Sequence, residues 1–247
     1  MKQFILILLF ASLLFSKEIT ISSEDGFKLY GWLDKPTATK EASPIILFAH
    51  QFGADHSIWN ELAKKFNDKG YATLNVDLRG HGKSIMQDGK ENAVITDVRL
   101  DHIREALTQS DTKVKFKNIP TDLMAWLELL SEDDSIDMDK LYLFGSSIGG
   151  GTIIPLLNEY EAKAIVCISA GRLNALGEET DMALSTSMTK ELFIAAKNDP
   201  LGAAQRSLEY ANKSILGTAI IVSGNGHGTV LLPQVQEYIF AFMEKNR

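Results

Sequence analysis

One stretch limits what this chain can fold into more than any other: LYLFGSSIGGGT, Leu141 to Thr152. A run of strand-forming apolar residues meets two serines and three glycines, and a second apolar run, TIIPLL, follows at once. A strand that turns directly into a helix forces the corner residue into a strained backbone. Glycines two positions away on each side relieve the crowding. Gly145, Ser147 and Gly149 fit G-x-S-x-G with Ser147 at the centre. The pattern predicts that the Ser147 hydroxyl projects from the turn, at the positive end of the following helix. Ser146 lacks the flanking glycines and reads as a filler of the turn.

The rest of the chain supplies the sheet that such a corner needs. KEITISSEDGFKLYGWLDKP alternates apolar and polar residues about Asp25-Gly26 and predicts an opening antiparallel pair. Buried strands follow in SPIILFAH, YATLNVDLRG, DKLYLFG, AKAIVCISA, KELFIAAKNDP and GTAIIVSGNG. Helical spacing appears in HSIWNELAKKFNDKG, with Gly70 as its stop, and in NIPTDLMAWLELLSED, with Pro120 near its start and Thr121 as its N-cap. It recurs in SIGGGTIIPLLNEY, LGAAQRSLEYAN and VLLPQVQEYIFAFMEKN. Ile85 to Lys115 is polar and reads as an irregular loop or short surface helices, and GRLNALGEETDMALSTSMT as a polar loop. Strand–helix alternation after an opening pair implies an α/β class. We expect a mainly parallel eight-stranded sheet with helices on both faces.

In such a sheet the ligand site lies beyond the carboxyl ends of the strands. Ser147 stands at one of those ends, Asp199 (FIAAKNDP) at the next but one, and His227 (VSGNGHG) at the last. A serine hydroxyl attacks only when a base takes its proton, and the base needs an acid to orient it. Three residues of these types, in this order on strand ends, are candidates for nucleophile, acid and base. Of the other histidines, His50 and His81 read as shapers of turns, and His56 and His102 as surface residues. Asp77 and Arg79 read as a loop-holding pair. Asp55 and Asp181 are alternative acids whose positions fit less well than Asp199.

Four motifs now carry a family resemblance: HQFGAD, DLRGHGKS, GSSIGG, and the NDP and GHG pair near the end. Together they resemble the α/β-hydrolase superfamily, in particular its compact dienelactone-hydrolase-like and carboxylesterase-like members. The resemblance implies a serine hydrolase that cleaves a carboxylic ester through an acyl-enzyme and needs no cofactor. It implies an oxyanion hole made by the N–H of Ile148 and by a second N–H, from Phe52 or Gln51. The family commonly has His-Gly where this chain has His50-Gln51, and the Gln51 amide could line the pocket. The short polar segment 171–191 implies a minimal cap, unless Ile85 to Lys115 covers the entrance. A thioesterase, a small peptidase, or a non-catalytic protein that kept the fold are the competing readings.

Composition narrows the partners. The net charge is −7 and no Lys/Arg-rich run occurs, so nucleic acid is not expected and a small-molecule ester is. No H-E-x-x-H or clustered His/Cys/Asp pattern occurs, so no metal is assigned. The single cysteine, Cys167, lies in an apolar strand and reads as a packing residue. At the N-terminus, Lys2 precedes an apolar core from Phe4 to Phe15. That core is shorter than the ~20 residues of a membrane span and suits a signal peptide over residues 1–16. The hydrolase domain would then be 17–247, exported to the periplasm or secreted, with no stable membrane span after cleavage. An uncleaved N-terminal anchor is the other reading.

Overall fold

The computed structural model describes residues 16–37, 41–96 and 99–247. The apolar core of the expected signal peptide lies outside the described residues. Among them, no helix is long and apolar enough to cross a membrane.

The strands are β1 (Lys17–Ser22), β2 (Phe27–Asp34), β3 (Ser43–Ala49), β4 (Ala72–Asp77), β5 (Met86–Gln87), β6 (Lys90–Glu91), β7 (Ile136–Ser146), β8 (Ala164–Ile168), β9 (Lys190–Ala196) and β10 (Gly217–Val222). The helices are α1 (Asn60–Asn67), α2 (Ile103–Val114), α3 (Ile119–Ser131), α4 (Ile148–Ile153), α5 (Gly177–Thr186), α6 (Ala203–Lys213) and α7 (Leu232–Lys245). One sheet runs β10-β9-β8-β7-β3-β4-β2, with β1 paired to β2. From β3 onward the long strands pair in parallel, and β2 is antiparallel to both β1 and β4. All eight expected strands are present. The two-residue ribbon β5–β6, turning through Asp88 and Gly89 at positive φ, extends the sheet to ten.

Alternation along the central strands sorts their side chains onto two faces. Leu47, Leu143, Ile165, Cys167 and Phe193 point to one cluster, which α3 covers with Leu123, Trp126, Leu127 and Leu130. Phe48, Phe144, Val166, Ile168 and Ile194 point to the other, closed by Leu62 and Phe66 of α1 and Val235, Ile239 and Met243 of α7. Along the middle of β3, β7, β8 and β9 both faces are therefore apolar, while β4 carries buried Thr73 and Asn75, the latter bonded to Asn60 of α1.

Four local expectations are corrected. The polar segment 171–189 contains the ten-residue helix α5, whose buried side is only Thr180, Ala183 and Leu184. Within 85–115 lies the twelve-residue helix α2, buried through Ala106, Ser110 and Val114. In both, small or polar residues make up much of the inward stripe, so apolar periodicity is weak. Thr121 does not cap α3: the helix starts at Ile119, Asn118 stands at the N-cap, and Pro120 is in the first turn. The helix after Ser147 is α-helical only to Ile153 and tightens to a 3₁₀ turn over Ile154–Asn158, where Pro155 has no N–H to give.

Candidate active site

Ser147 sits between β7 and α4 with φ 51° and ψ −113°, a conformation that side-chain-bearing residues rarely take. The surroundings hold it there. Its carbonyl accepts the N–H of Gly151 at 2.9 Å and of Gly171 at 2.6 Å. A Cβ at Gly145 would stand 2.5 Å from the Gly149 carbonyl oxygen, and one at Gly149 would stand 2.3 Å from that of Ala49. These glycines allow backbone-to-backbone packing of the corner against β3.

His227 follows β10 and reaches back over the sheet edge. Its Nε2 lies 2.8 Å from Ser147 Oγ and its Nδ1 lies 2.8 Å from Asp199 Oδ2. Asp199 is buried, which by itself would raise its carboxyl pKa. The His227 hydrogen bond and charge, the Leu201 N–H and Ser169 outweigh this and hold it below the ordinary value. An ionised carboxylate only accepts, so Nδ1 carries the ring proton. Nε2 is left as the acceptor for the Ser147 hydroxyl.

Around this line stands a set of contacts that sequence reasoning missed. Gln51 Oε1 accepts from Ser146 Oγ at 2.8 Å, from Thr229 N–H at 2.9 Å and from Thr229 Oγ1 at 3.2 Å. Its side chain is engaged with the His227 loop and does not line the cleft, which corrects the expectation of a pocket residue. Ser169, at the end of β8 with φ 49°, accepts the Gly228 N–H at 3.0 Å and hydrogen-bonds Asp199. The turn after β3 takes its positive φ at Gly53, so Gln51 needs no strained backbone. Among the described residues, neither the Phe52 nor the Ile148 N–H donates to a protein acceptor. Phe52 is anchored by its ring against His81 and Phe116.

The remaining histidines have other tasks. His50 donates from Nδ1 to the Gln51 carbonyl at 2.8 Å and accepts the Leu78 N–H at Nε2 at 3.0 Å. Both nitrogens are thus occupied, and burial lowers its pKa. His81 bonds the Arg79 carbonyl, and burial drives its pKa down to about 3. His56 is not a free surface residue. It stacks on Trp32 at 3.3 Å between ring centroids and bonds Asp77 through both its N–H and its ring. His102 is exposed beside Asp101.

Asp77 and Arg79 do not pair with each other. Asp77 holds His56 and the Lys83 N–H, while Arg79 is buried between Asp25 and Asp122. Asp55, His56 and Asp77 bring ligand atoms within 4.8 Å of one another, a cluster that their spacing did not reveal. Asp77 is already bonded to three N–H groups there. Asp55 caps the turn at Ser57, and Asp181 pairs with Lys213, so neither meets His227.

Ser147, Ile148 and His227 open onto a cleft of about 510 Å³. Arg104 and Leu107 of α2 form one wall; Arg172 and Leu173, on the segment leading to α5, form another. The cap is therefore minimal, with segment 85–115 supplying part of it through α2.

The acetyl xylan esterase (AXE1) family matches residues 15–192, a span that includes Ser147 and ends before Asp199 and His227. Est1E from Butyrivibrio proteoclasticus, solved with ferulic acid, is 18% identical, with 92% of this chain and 98% of that one covered and a TM-score of 0.69. An esterase domain from Rhodothermus marinus is 17% identical (93% and 98% covered, TM-score 0.65). A dienelactone hydrolase from Anabaena variabilis is 19% identical (92% and 97% covered, TM-score 0.63). These structures share the α/β-hydrolase fold with this chain. No curated protein sequence matches it.

Proposed function

The chain belongs to the acetyl xylan esterase (AXE1) family and is a carboxylic ester hydrolase; on that premise we propose that Ser147, His227 and Asp199 carry the reaction through an acyl-enzyme. The observation that supports this is the unbroken line of two 2.8 Å contacts from Ser147 Oγ through the imidazole to Asp199. Ser147 Oγ attacks the ester carbonyl as its proton passes to His227 Nε2. The carbonyl oxygen becomes negative and is met by the N–H groups of Ile148 and Phe52, each donor worth about 3 kcal/mol of barrier. Collapse breaks the bond to the leaving alcohol, which takes the proton from His227. Asp199 stabilises the imidazolium in between. Water then repeats the sequence: it gives His227 a proton, attacks the acyl carbon, and Ser147 recovers its proton as the acid leaves.

The family's name supports a short acyl group, acetyl first, on a carbohydrate-like alcohol. The thioesterase and peptidase alternatives would use the same residues and draw on no observation of their own. The Lys2 to Ser16 segment supports export, so the substrate would be met outside the cytoplasm. The test is hydrolysis of p-nitrophenyl acetate by the wild type, Ser147→Ala and Ser146→Ala, with circular dichroism to show that each is folded. Loss of turnover is expected for Ser147→Ala, along with loss of labelling by a fluorophosphonate. A folded Ser147→Ala protein that keeps its activity would refute the assignment.

A further inference from the structure

The cleft at Ser147 is cationic in an acidic protein. The chain carries 32 acidic against 25 basic residues, yet three arginines, Arg104, Arg172 and Arg206, line this cleft with one acidic residue, Asp111. Among the described residues, none of the three makes an ion pair. Outside the cleft, Arg79 lies between two aspartates and Arg99 holds one, while Arg247 bonds the Lys69 carbonyl. Asp111 accepts the Phe116 N–H and pairs with none of them.

Two of the three are attached close to the nucleophile. Arg206 is fixed by its Nη1 to the Ala170 carbonyl at 2.9 Å and by its Nη2 to the Leu201 carbonyl at 3.3 Å, neither of which cancels its charge. Arg172 follows Gly171, whose N–H is bonded to the Ser147 carbonyl. Arg104 faces the same space from α2. Like charges gathered in a concave wall repel one another and concentrate the field in the cleft. A guanidinium fork is matched by a carboxylate, which it binds through two parallel hydrogen bonds.

We propose that this site selects esters that carry a carboxylate, held among Arg104, Arg172 and Arg206 while Ser147 attacks the ester carbonyl. This rests on the reading of Ser147 as nucleophile. The carboxylate belongs either to the acyl part, as in a half-ester of a dicarboxylic acid, or to the alcohol, as in an O-acetylated sugar acid. In both, the ester bond alone is cleaved and the carboxylate takes no part in bond making.

Two substrate pairs distinguish the sources: monomethyl adipate against methyl hexanoate, and O-acetylated glucuronic acid against O-acetylated glucose, followed by proton release. The anionic member of one pair is expected to have a kcat/KM about tenfold higher at low salt. That preference should shrink toward parity at about 0.5 M salt. Arg172→Gln and Arg104→Gln should each lower the anionic-to-neutral ratio several-fold, and Arg172→Lys should lower it less. Equal kcat/KM within both pairs, or a preference indifferent to salt and to both glutamine variants, would overturn the proposal.

Failure of the nucleophile assignment has a separate signature, p-nitrophenyl acetate turnover that survives Ser147→Ala. The anion site is read without turnover by calorimetric binding of the same pairs to the Ser147→Ala protein. Tighter binding of an anionic member, lost on adding Arg172→Gln, supports the site. Equal binding within both pairs rejects it.

Discussion

The side-chain oxygen of Gln51 accepts the hydroxyl of Ser146, the residue beside the proposed nucleophile Ser147, at 2.8 Å. The same oxygen takes the N–H of Thr229, two residues past His227. One acceptor thus ties the end of β7, beside Ser147, to the loop that carries His227. On the proposed mechanism Gln51 acts by positioning, and Gln51→Leu should lower kcat by about tenfold to a hundredfold, the cost of an ångström of misplacement. KM should move much less. Gln51→Glu keeps an acceptor and should recover part of the loss. Steady-state kinetics on p-nitrophenyl acetate separates these outcomes; a change confined to KM would show that Gln51 acts on binding instead.

Asp199→Asn keeps the size of the side chain but can present an N–H to His227 Nδ1. That would favour the tautomer with its proton on Nε2, the wrong nitrogen for taking the Ser147 proton. A loss of about 10⁴-fold in kcat is expected, the scale seen when the equivalent acid is changed in the serine protease triad. Retention of a tenth or more of the activity would show that another group orients the imidazole.

The buried guanidinium of Arg79 lies between Asp25, in the turn after β1, and Asp122 on α3. Burial raises the Asp122 carboxyl to about 6 despite Arg79. In Asp25, burial works in the same sense, but the Arg79 and Ser23 hydrogen bonds overcome it and hold the carboxyl at about 2. Arg79→Ala would leave Asp122 buried without a counter-charge and should cost about 3–5 kcal/mol of stability. Urea unfolding at neutral pH measures this; a change under about 1 kcal/mol would mean that water replaces the guanidinium.

Glu191, at the foot of β9, is fully buried and bonds only the Ser214 hydroxyl, leaving Oε1 without a partner. Burial lifts its carboxyl from 4.5 to about 7. The folded protein therefore keeps a proton that the unfolded chain has lost. Stability contributed by this group is complete below about pH 4.5, falls as pH rises toward 7, and is flat above, a span on the order of 3 kcal/mol. Glu191→Gln should remove that slope and leave the protein more stable than wild type at pH 8. Denaturation midpoints across pH 4.5 to 8 check it, and parallel curves for the two proteins would refute it.

The elbow and the order Ser147, Asp199, His227 were legible because their signals are local: a glycine pattern, a strand end, a loop histidine. The contacts that support them were not. Gln51 and Thr229 are 178 residues apart in sequence, and nothing near Ser169 marks it as a partner of Gly228, 59 residues on. The odd residue at Gln51 was visible as a departure from His-Gly, but its side chain closes on the histidine loop rather than on substrate. Asp77 and Arg79 do hold loops, as their motif implies, but they do not hold each other, because their partners come from other turns and helices. The sequence leaves α2 open between a loop and short surface helices and reads α5 as a loop, because small and polar side chains share their inward stripes.

The Ser147 carbonyl is bonded to two N–H groups, and the corner around it has no room for a single added methyl group at Gly145 or Gly149. The walls of the cleft are different: α2 enters it from a separate connection and is buried only through Ala106, Ser110 and Val114. The reacting centre and its enclosure can thus change independently. Exchanging α2 for another segment would redraw the range of esters accepted while the bond-breaking apparatus stays as it is. That separability makes α2 the natural place to begin redesigning the specificity of this enzyme.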